Sequence, residues 1–218
     1  MKWELLDGLA DTEVQALLSI ARRRRFARGE VVFHEHDPAE TLHLIDKGRF
    51  VVRVATPLGD TAILAVLGPG DMFGELSLLG DADARRSATV AALEPCETRS
   101  VHRLDFDRLR STHPKTADVL ISILAGQVRR LSRHLLEALY VPADKRVLRR
   151  LLEVGRLYSD GDGPATVPLT QEDLAGLAGT SRATVNRVLR EEEARGSVKL
   201  GRGRTTLLDT EALARRGR

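Results

Sequence analysis

From Gly29 to about Leu104, apolar and polar residues alternate in short runs, EVVFHEH, TLHLID, RFVVRVA, TAILAVL, SATVAAL and TRSVHRL, parted by glycine, proline or aspartate. A period of two broken at such intervals predicts short β-strands, and strands spaced this closely predict a sandwich or jelly roll. Ahead of them, MKWELLDGLADTEVQ sets apolar residues at helical spacing among charges and predicts an N-terminal helix.

After the strands the period lengthens. LDFDRLRSTHP predicts a short helix ending before Pro114, and Lys115 to about Tyr140 reads as one long helix. Within it Ala117, Ile121, Leu124, Val128, Leu131, Leu135 and Ala138 are spaced 4, 3, 4, 3, 4, 3, with Arg129, Arg130, Arg133 and Glu137 off that seam. A repeat of 3.5 residues sustained over three heptads faces another copy of itself, so a parallel coiled-coil homodimer is expected. The alternative is that the seam packs on the helix's own domain.

Pro142 ends this helix, and Asp144 can cap or charge-complement the next, KRVLRRLLEVGRLY. A Gly/Pro/Asp-rich connector, SDGDGPATVP, leads to two helical periods in quick succession. Thr170 and Asp173 form an N-cap pair for the first, which ends near Gly179, and TSRATVNRVLREEEARG starts the second. Leu174, Ala175, Ala178, Gly179, Val185 and Val188 put small or apolar side chains where two helices joined by a tight turn touch, the helix-turn-helix arrangement.

Such a unit lays its second helix in the major groove of double-stranded DNA. Thr170, Gln171, Ser181, Arg182, Thr184, Asn186 and Arg187 are the polar residues available there, and an arginine can hold guanine by two hydrogen bonds. SVKLGRGRTTLLDT reads as two strands around a basic turn, whose Arg202 and Arg204 can act as a wing on the phosphate backbone. An αα-hairpin that merely packs would explain the apolar spacing but not the arginines on its open face. The fold class is therefore α+β: a β jelly roll with an N-terminal helix over residues 1–113, a dimerisation helix over 114–140, and a winged helix-turn-helix over 141–218.

Composition and charge narrow the chemistry. Of the 218 residues 42% are hydrophobic and 30% charged, an ordinary soluble globular balance. The longest apolar run, AILAVL, is a strand and not a membrane span, and the N-terminus lacks a signal peptide's apolar block, so a cytoplasmic protein with no membrane partner is expected. One cysteine, Cys96, excludes a disulfide framework and a four-thiolate cluster within one chain. Residues 1–140 carry 19 Lys and Arg against 20 Asp and Glu, whereas residues 141–218 carry 15 against 11. The basic excess thus sits where the helix-turn-helix is.

The stretch FGELSLLGDADARRSAT, Phe73 to Thr89, carries anion chemistry. GELSLL reads as a short helix with Gly74 at its start, leaving backbone N–H groups of Gly74, Glu75, Leu76 and Ser77 free to donate. Arg86 supplies a planar charged fork and Ser87 a hydroxyl. Glu75 is odd company for an anion unless it accepts a hydrogen bond from a hydroxyl of the same ligand, and a sugar phosphate with a free ribose 2′-OH fits both. The alternative is a structural salt bridge between Arg86 and Glu75.

Residues 73–89 resemble the phosphate-binding cassette of cyclic-nucleotide-binding domains. Together with KGRFVV, GPGDMFGE, the long helix and the helix-turn-helix, nearly the whole chain is similar to the cyclic-AMP receptor branch of the CRP/FNR transcription regulators. The resemblance implies a homodimer without catalytic activity that binds a palindromic DNA site, works with RNA polymerase, and takes cyclic AMP as allosteric effector with no metal. It places Gly74, Glu75, Leu76, Ser77, Arg85, Arg86, Ser87 and Ala88 at the effector, with Arg85 and Arg86 both near the phosphate position. On the long helix it places His134 and Leu135 where the pattern has Thr-Ser for the adenine.

Three departures bear on function. Base recognition falls to His134 or to another effector, Ala183 replaces a glutamate usual in the recognition helix, and His36 stands where a turn glycine is common and strains that loop. Another cyclic nucleotide, haem ligated by Cys96 or a histidine, or DNA binding without effector are the alternatives. A more distant one is a cupin-type metalloenzyme using His34, His36 and Glu40, although the spacing fits that motif poorly and no later histidine completes it.

Overall fold

The strand run TLHLIDK is buried on both faces because it sits mid-sheet between a second sheet and a layer of helices. The computed structural model describes residues 3–6, 10–57, 59–76, 84–159 and 164–218. Ser77 with the acidic loop to residue 83, and residues 160–163 of the connector, lie outside the described residues. Two units divide the chain, residues 1–54 with 65–131 and residues 55–64 with 132–218.

The described strands of the N-terminal half are β1 (Arg22–Phe26), β2 (Val31–Phe33), β3 (Thr41–Lys47), β4 (Phe50–Ala55), β5 (Thr61–Leu67), β6 (Met72–Phe73), β7 (Thr89–Ala92) and β8 (Cys96–His102). They form two four-stranded sheets, in the orders β1-β8-β3-β6 and β2-β7-β4-β5, the two-sheet pattern of a jelly roll. Phe26, Ile45, Phe73 and Cys96 from the first sheet meet Phe50, Leu67, Val90 and Ala92 from the second. Burial of each large side chain there contributes roughly 1.5–3 kcal/mol. On the opposite face of β3, Leu42 and Leu44 pack under α1 (Asp11–Ile20), α2 (Arg103–Thr112) and α3 (Lys115–Tyr140) through Leu17, Phe106, Leu109 and Leu120.

Two strands depart from the sequence expectation. β1 is RRRRF, with no apolar alternation, yet it pairs with β8 from Arg22↔Ser100 to Phe26↔Cys96. Its arginines are exposed on the edge of the sheet, and Arg23 and Arg25 both reach the Glu97 carboxylate on β8. β6 is only two residues long and escapes any periodicity. The His36 expectation is met by a backbone φ of +70°, the left-handed region that disfavours a side chain.

The heptad seam divides. On α3, Thr116 and Leu120 face the α3 domain's own core, and Leu124 is partly packed there too. Ile121, Val128, Leu131 and Leu135 are between 51% and 63% exposed in the single chain. The helix is thus two-sided, and the stripe left uncovered is the part of the seam from Ile121 onward without Leu124.

The C-terminal half holds α4 (Ala143–Leu157), β9 (Thr166–Val167), α5 (Gln171–Ala178), α6 (Arg182–Ala194), β10 (Val198–Gly201), β11 (Arg204–Leu207) and α7 (Thr210–Arg216). Pro142, not Asp144, occupies the N-cap of α4, and Asp144 lies in the first turn, where its charge complements the helix dipole. Val147, Leu148, Leu151 and Val154 bury one face of α4. A Cβ on Gly155 would stand 2.3 Å from Leu207 Cδ1, so the helix meets the β10-β11-β9 sheet closely there and a side chain would have to displace Leu207. β9 and α7 are additions to the sequence expectation.

Candidate effector and DNA-binding sites

Arg86 is only 3% exposed, whereas its neighbour Arg85 is exposed. Loop His34–Asp37 holds the backbone of Arg86 from both sides: His36 N donates to Arg86 O at 2.8 Å and Arg86 N to Asp37 O at 2.9 Å. The strained His36 is therefore part of the support of this arginine. Arg86 Nη1 donates to Thr41 O at 2.9 Å, Nη2 donates to Thr41 Oγ1 at 2.9 Å, and the guanidinium carbon lies 4.0 Å from the centre of the Phe33 ring.

No carboxylate among the described residues comes within ion-pair distance of Arg86, and its Nε is buried without a partner. Burial pulls the guanidinium pKa below its ordinary value, while the more distant charges of Asp37, Glu75 and Glu40 act in the opposite sense. A buried cation held by neutral groups has unspent attraction for an anion.

Glu75 does not bridge to Arg86. It is 7% exposed, and its Oε1 accepts from Gln127 Nε2 of α3 at 3.1 Å. Gly74 adopts φ +88°, and a Cβ there would lie 2.6 Å from Arg86 Nη1 and 2.7 Å from Thr41 O, so both its conformation and its missing side chain let the arginine approach. Leu76 is half exposed, Ser87 is exposed and Ala88 is buried.

The structure thus brings Gly74, Glu75 and Arg86 together with Thr41, Phe33 and Gln127. The last three carry no signal in the sequence, because a threonine or phenylalanine in an apolar strand and a glutamine in a long helix do not reveal which distant residue they face. His134 is engaged elsewhere: Arg150 contacts its Nε2, and Glu153 Oε2 lies 3.7 Å away, within the second unit. Leu135 is on the exposed stripe.

His34, His36 and Glu40 do not form a metal set, and among the described residues no three His, Cys, Asp or Glu side chains gather as one. Cys96 is buried, its thiol donating to Arg49 O and Glu94 O, and burial raises its pKa.

In the C-terminal unit the helix-turn-helix is built from caps. Thr170 Oγ1 accepts from Asp173 N at 3.0 Å while Asp173 Oδ2 accepts from Thr170 N at 3.1 Å, a reciprocal box that starts α5. Gly179 at φ +60° ends it, and Ser181 Oγ accepts from Thr184 N at 3.2 Å to start α6. Arg146 of α4 ties the turn down, donating to Ala178 O, Gly179 O and Val141 O at 2.8–2.9 Å.

Val185, Val188 and Leu189 bury one face of α6, leaving Arg182, Ala183, Asn186, Arg187 and Arg190 on the other. Asn186 donates to Gln171 at 3.1 Å and Arg187 pairs with Glu191 at 2.8 Å, whereas Arg182 has no hydrogen-bond or ion-pair partner among the described residues. Buried Glu192 accepts from Arg195 and Arg216 and so fastens α6 to α7. Arg202 and Arg204 are exposed on the β10–β11 hairpin.

Comparison with known proteins places both sites in a family. Residues 23–113 match the cyclic nucleotide-binding domain and residues 145–216 the Crp-like helix-turn-helix domain. The CRP-like cAMP-activated global transcriptional regulator of Mycobacterium tuberculosis is 33% identical over 220 residues, covering 98% of this chain and 96% of that protein. The chain belongs to the CRP/FNR family of transcription regulators. The Cyclic AMP receptor protein of Thermus thermophilus is 36% identical over 199 residues, 91% of this chain and 89% of its own. The crystal structure of the Thermus thermophilus catabolite activator protein covers 98% of both chains at 34% identity, with a TM-score of 0.57.

As a CRP/FNR member the chain is a DNA-binding transcription regulator of the dimeric type, with a cyclic nucleotide-binding domain and a helix-turn-helix domain. No described helix is long and apolar enough to cross a membrane.

Proposed function

We propose that this protein is a homodimeric, cytoplasmic transcription regulator whose binding to a palindromic DNA site, and through it to RNA polymerase, is controlled by cyclic AMP and involves no catalysis or metal. The observation that carries the effector assignment is Arg86, a buried guanidinium without a carboxylate partner among the described residues and with a bare Nε. In this reading Arg86 neutralises the cyclic phosphate, the backbone at Gly74, Glu75 and Leu76 adds donors, and Glu75 accepts from the ribose 2′-OH. Exposed Arg85 is left out of the phosphate site, and Ser87 adds a hydroxyl at its rim. His134, already held by Arg150 and Glu153, is given no part in reading the base.

For DNA, Arg182 is the side chain free to read a base edge, while Arg202 and Arg204 suit the phosphate backbone. Ile121, Val128, Leu131 and Leu135 form the dimer contact. The domain limits that go with this reading are residues 1–113, 114–140 and 141–218.

The experiment is a calorimetric titration of the purified protein with cyclic AMP, cyclic GMP and cyclic di-GMP, beside Arg86→Ala. Cyclic AMP is expected to bind saturably, and the variant to bind it at least about a hundredfold more weakly, since charge-assisted hydrogen bonds contribute roughly 1.5–3 kcal/mol each. Equal affinity of wild type and variant would remove Arg86 from the site.

A further inference from the structure

A chain of side chains runs from Arg86 into the sandwich core. Arg86 Nη2 donates to Thr41 Oγ1 at 2.9 Å, Thr41 Oγ1 lies 3.2 Å from His43 Nε2, and His43 Nδ1 lies 3.1 Å from Thr98 Oγ1. His43 is 4% exposed and Thr98 wholly buried. The imidazole stacks on Phe73 with ring centroids 4.9 Å apart and planes within 6°. His43 and Phe73 are register partners across β3 and β6, and Phe73 is followed directly by Gly74 and Glu75.

A guanidinium only donates, so Thr41 offers Arg86 an oxygen lone pair. The cation also favours the ring orientation whose lone pair, rather than whose N–H, faces it. With a lone pair on Nε2, the Thr41 hydroxyl donates a hydrogen bond to His43, and the ring N–H sits on Nδ1, from where it donates to Thr98 Oγ1.

We propose that His43 is a positioning residue of the effector site: as the Nδ1–H tautomer it accepts a hydrogen bond from the Thr41 hydroxyl at Nε2, fixes that hydroxyl, and so sets the direction in which Arg86 presents its guanidinium to the ligand's phosphate. This rests on the cyclic-nucleotide reading of Arg86. Burial, then the charges of Arg86 and Arg24, push the His43 pKa down to about 3, so the ring keeps its lone pair throughout the physiological range.

The test is a thermodynamic cycle on the intact protein, read by calorimetry with cyclic AMP: wild type, Thr41→Val, His43→Phe and the double variant. Thr41→Val keeps the side-chain shape, and His43→Phe keeps a ring to stack on Phe73. Each single change is expected to weaken binding about tenfold, the worth of one charge-assisted hydrogen bond. The double variant is expected to bind no more weakly than Thr41→Val alone, and Thr41→Ser within about twofold of wild type.

Losses that multiply, or a Thr41→Val protein that binds as wild type does, overturn the relay and leave Arg86 at the phosphate. A wild-type protein that binds no cyclic nucleotide overturns that assignment and the relay's role with it. The nitrogen-15 resonances of His43 in unmodified protein decide independently of any variant's folding: a protonated Nδ1 and a bare Nε2 are expected, and the reverse tautomer overturns the proposal.

Discussion

His43 ties stability to pH through one side chain. Its ordinary pKa of 6.5 falls to about 3, first because it is buried and then because Arg86 and Arg24 lie near. The unfolded chain takes up a proton as pH drops below 6.5, but the folded chain does not. The His43 contribution is therefore fully present above 6.5 and is lost progressively as pH falls toward 3. Urea unfolding of wild type and His43→Phe across pH 6 to 4 should give curves whose separation changes by about 1.4 kcal/mol per pH unit, the worth of one proton. Parallel curves would mean that the histidine is charged in the folded protein.

At this same scale the sequence made Gly74, Glu75 and Arg86 visible because each brings unusual chemistry to a loop, and even the strained His36 could be foreseen from its turn. Thr41, His43 and Gln127 were hidden. Each lies in a regular element where its type is unremarkable, and its role comes from a hydrogen-bond partner 45 to 55 positions away that only the sheet register and helix packing bring close.

For elements, periodicity served where one face is buried against one layer. The long helix, the two helices of the helix-turn-helix and the wing hairpin follow from patterns of 3.5, 3.6 and 2. β1 did not, because four exposed arginines on an edge strand owe their conformation to the neighbouring β8 backbone and to Glu97. The heptad pattern described α3 well but could not tell that Leu124 would share itself with the domain core, since one apolar stripe can serve two surfaces. Leu131 is 51% exposed in the single chain, so Leu131→Asp should leave the fold intact while placing a carboxylate in the proposed dimer contact. Sedimentation analysis should then find half the wild-type mass, and an unchanged mass would move the interface away from this stripe.

On the scale of the whole molecule, the order of parts was legible, because a jelly roll, a seamed helix and a winged helix-turn-helix each leave their own period. How ligand occupancy changes DNA affinity is a difference between states, and no single pattern of residues encodes it. Thermodynamics still constrains it: if cyclic AMP raises DNA affinity by some factor, DNA must raise cyclic AMP affinity by the same factor, expected to lie between about 5 and 150. Fluorescence anisotropy with labelled operator, at fixed salt, and calorimetry with and without that DNA measure the two sides. A factor of one in both would make the protein a DNA binder indifferent to its nucleotide.

The apolar stripe of Ile121, Val128, Leu131 and Leu135, bare on one chain, also bears on how the protein counts itself. If two chains must meet along it before a two-part operator can be gripped, then in a sparsely expressed cell the pairs grow with the square of the chains. Doubling expression would raise early promoter occupancy about fourfold, so the abundance of the regulator would act as a second signal beside its effector.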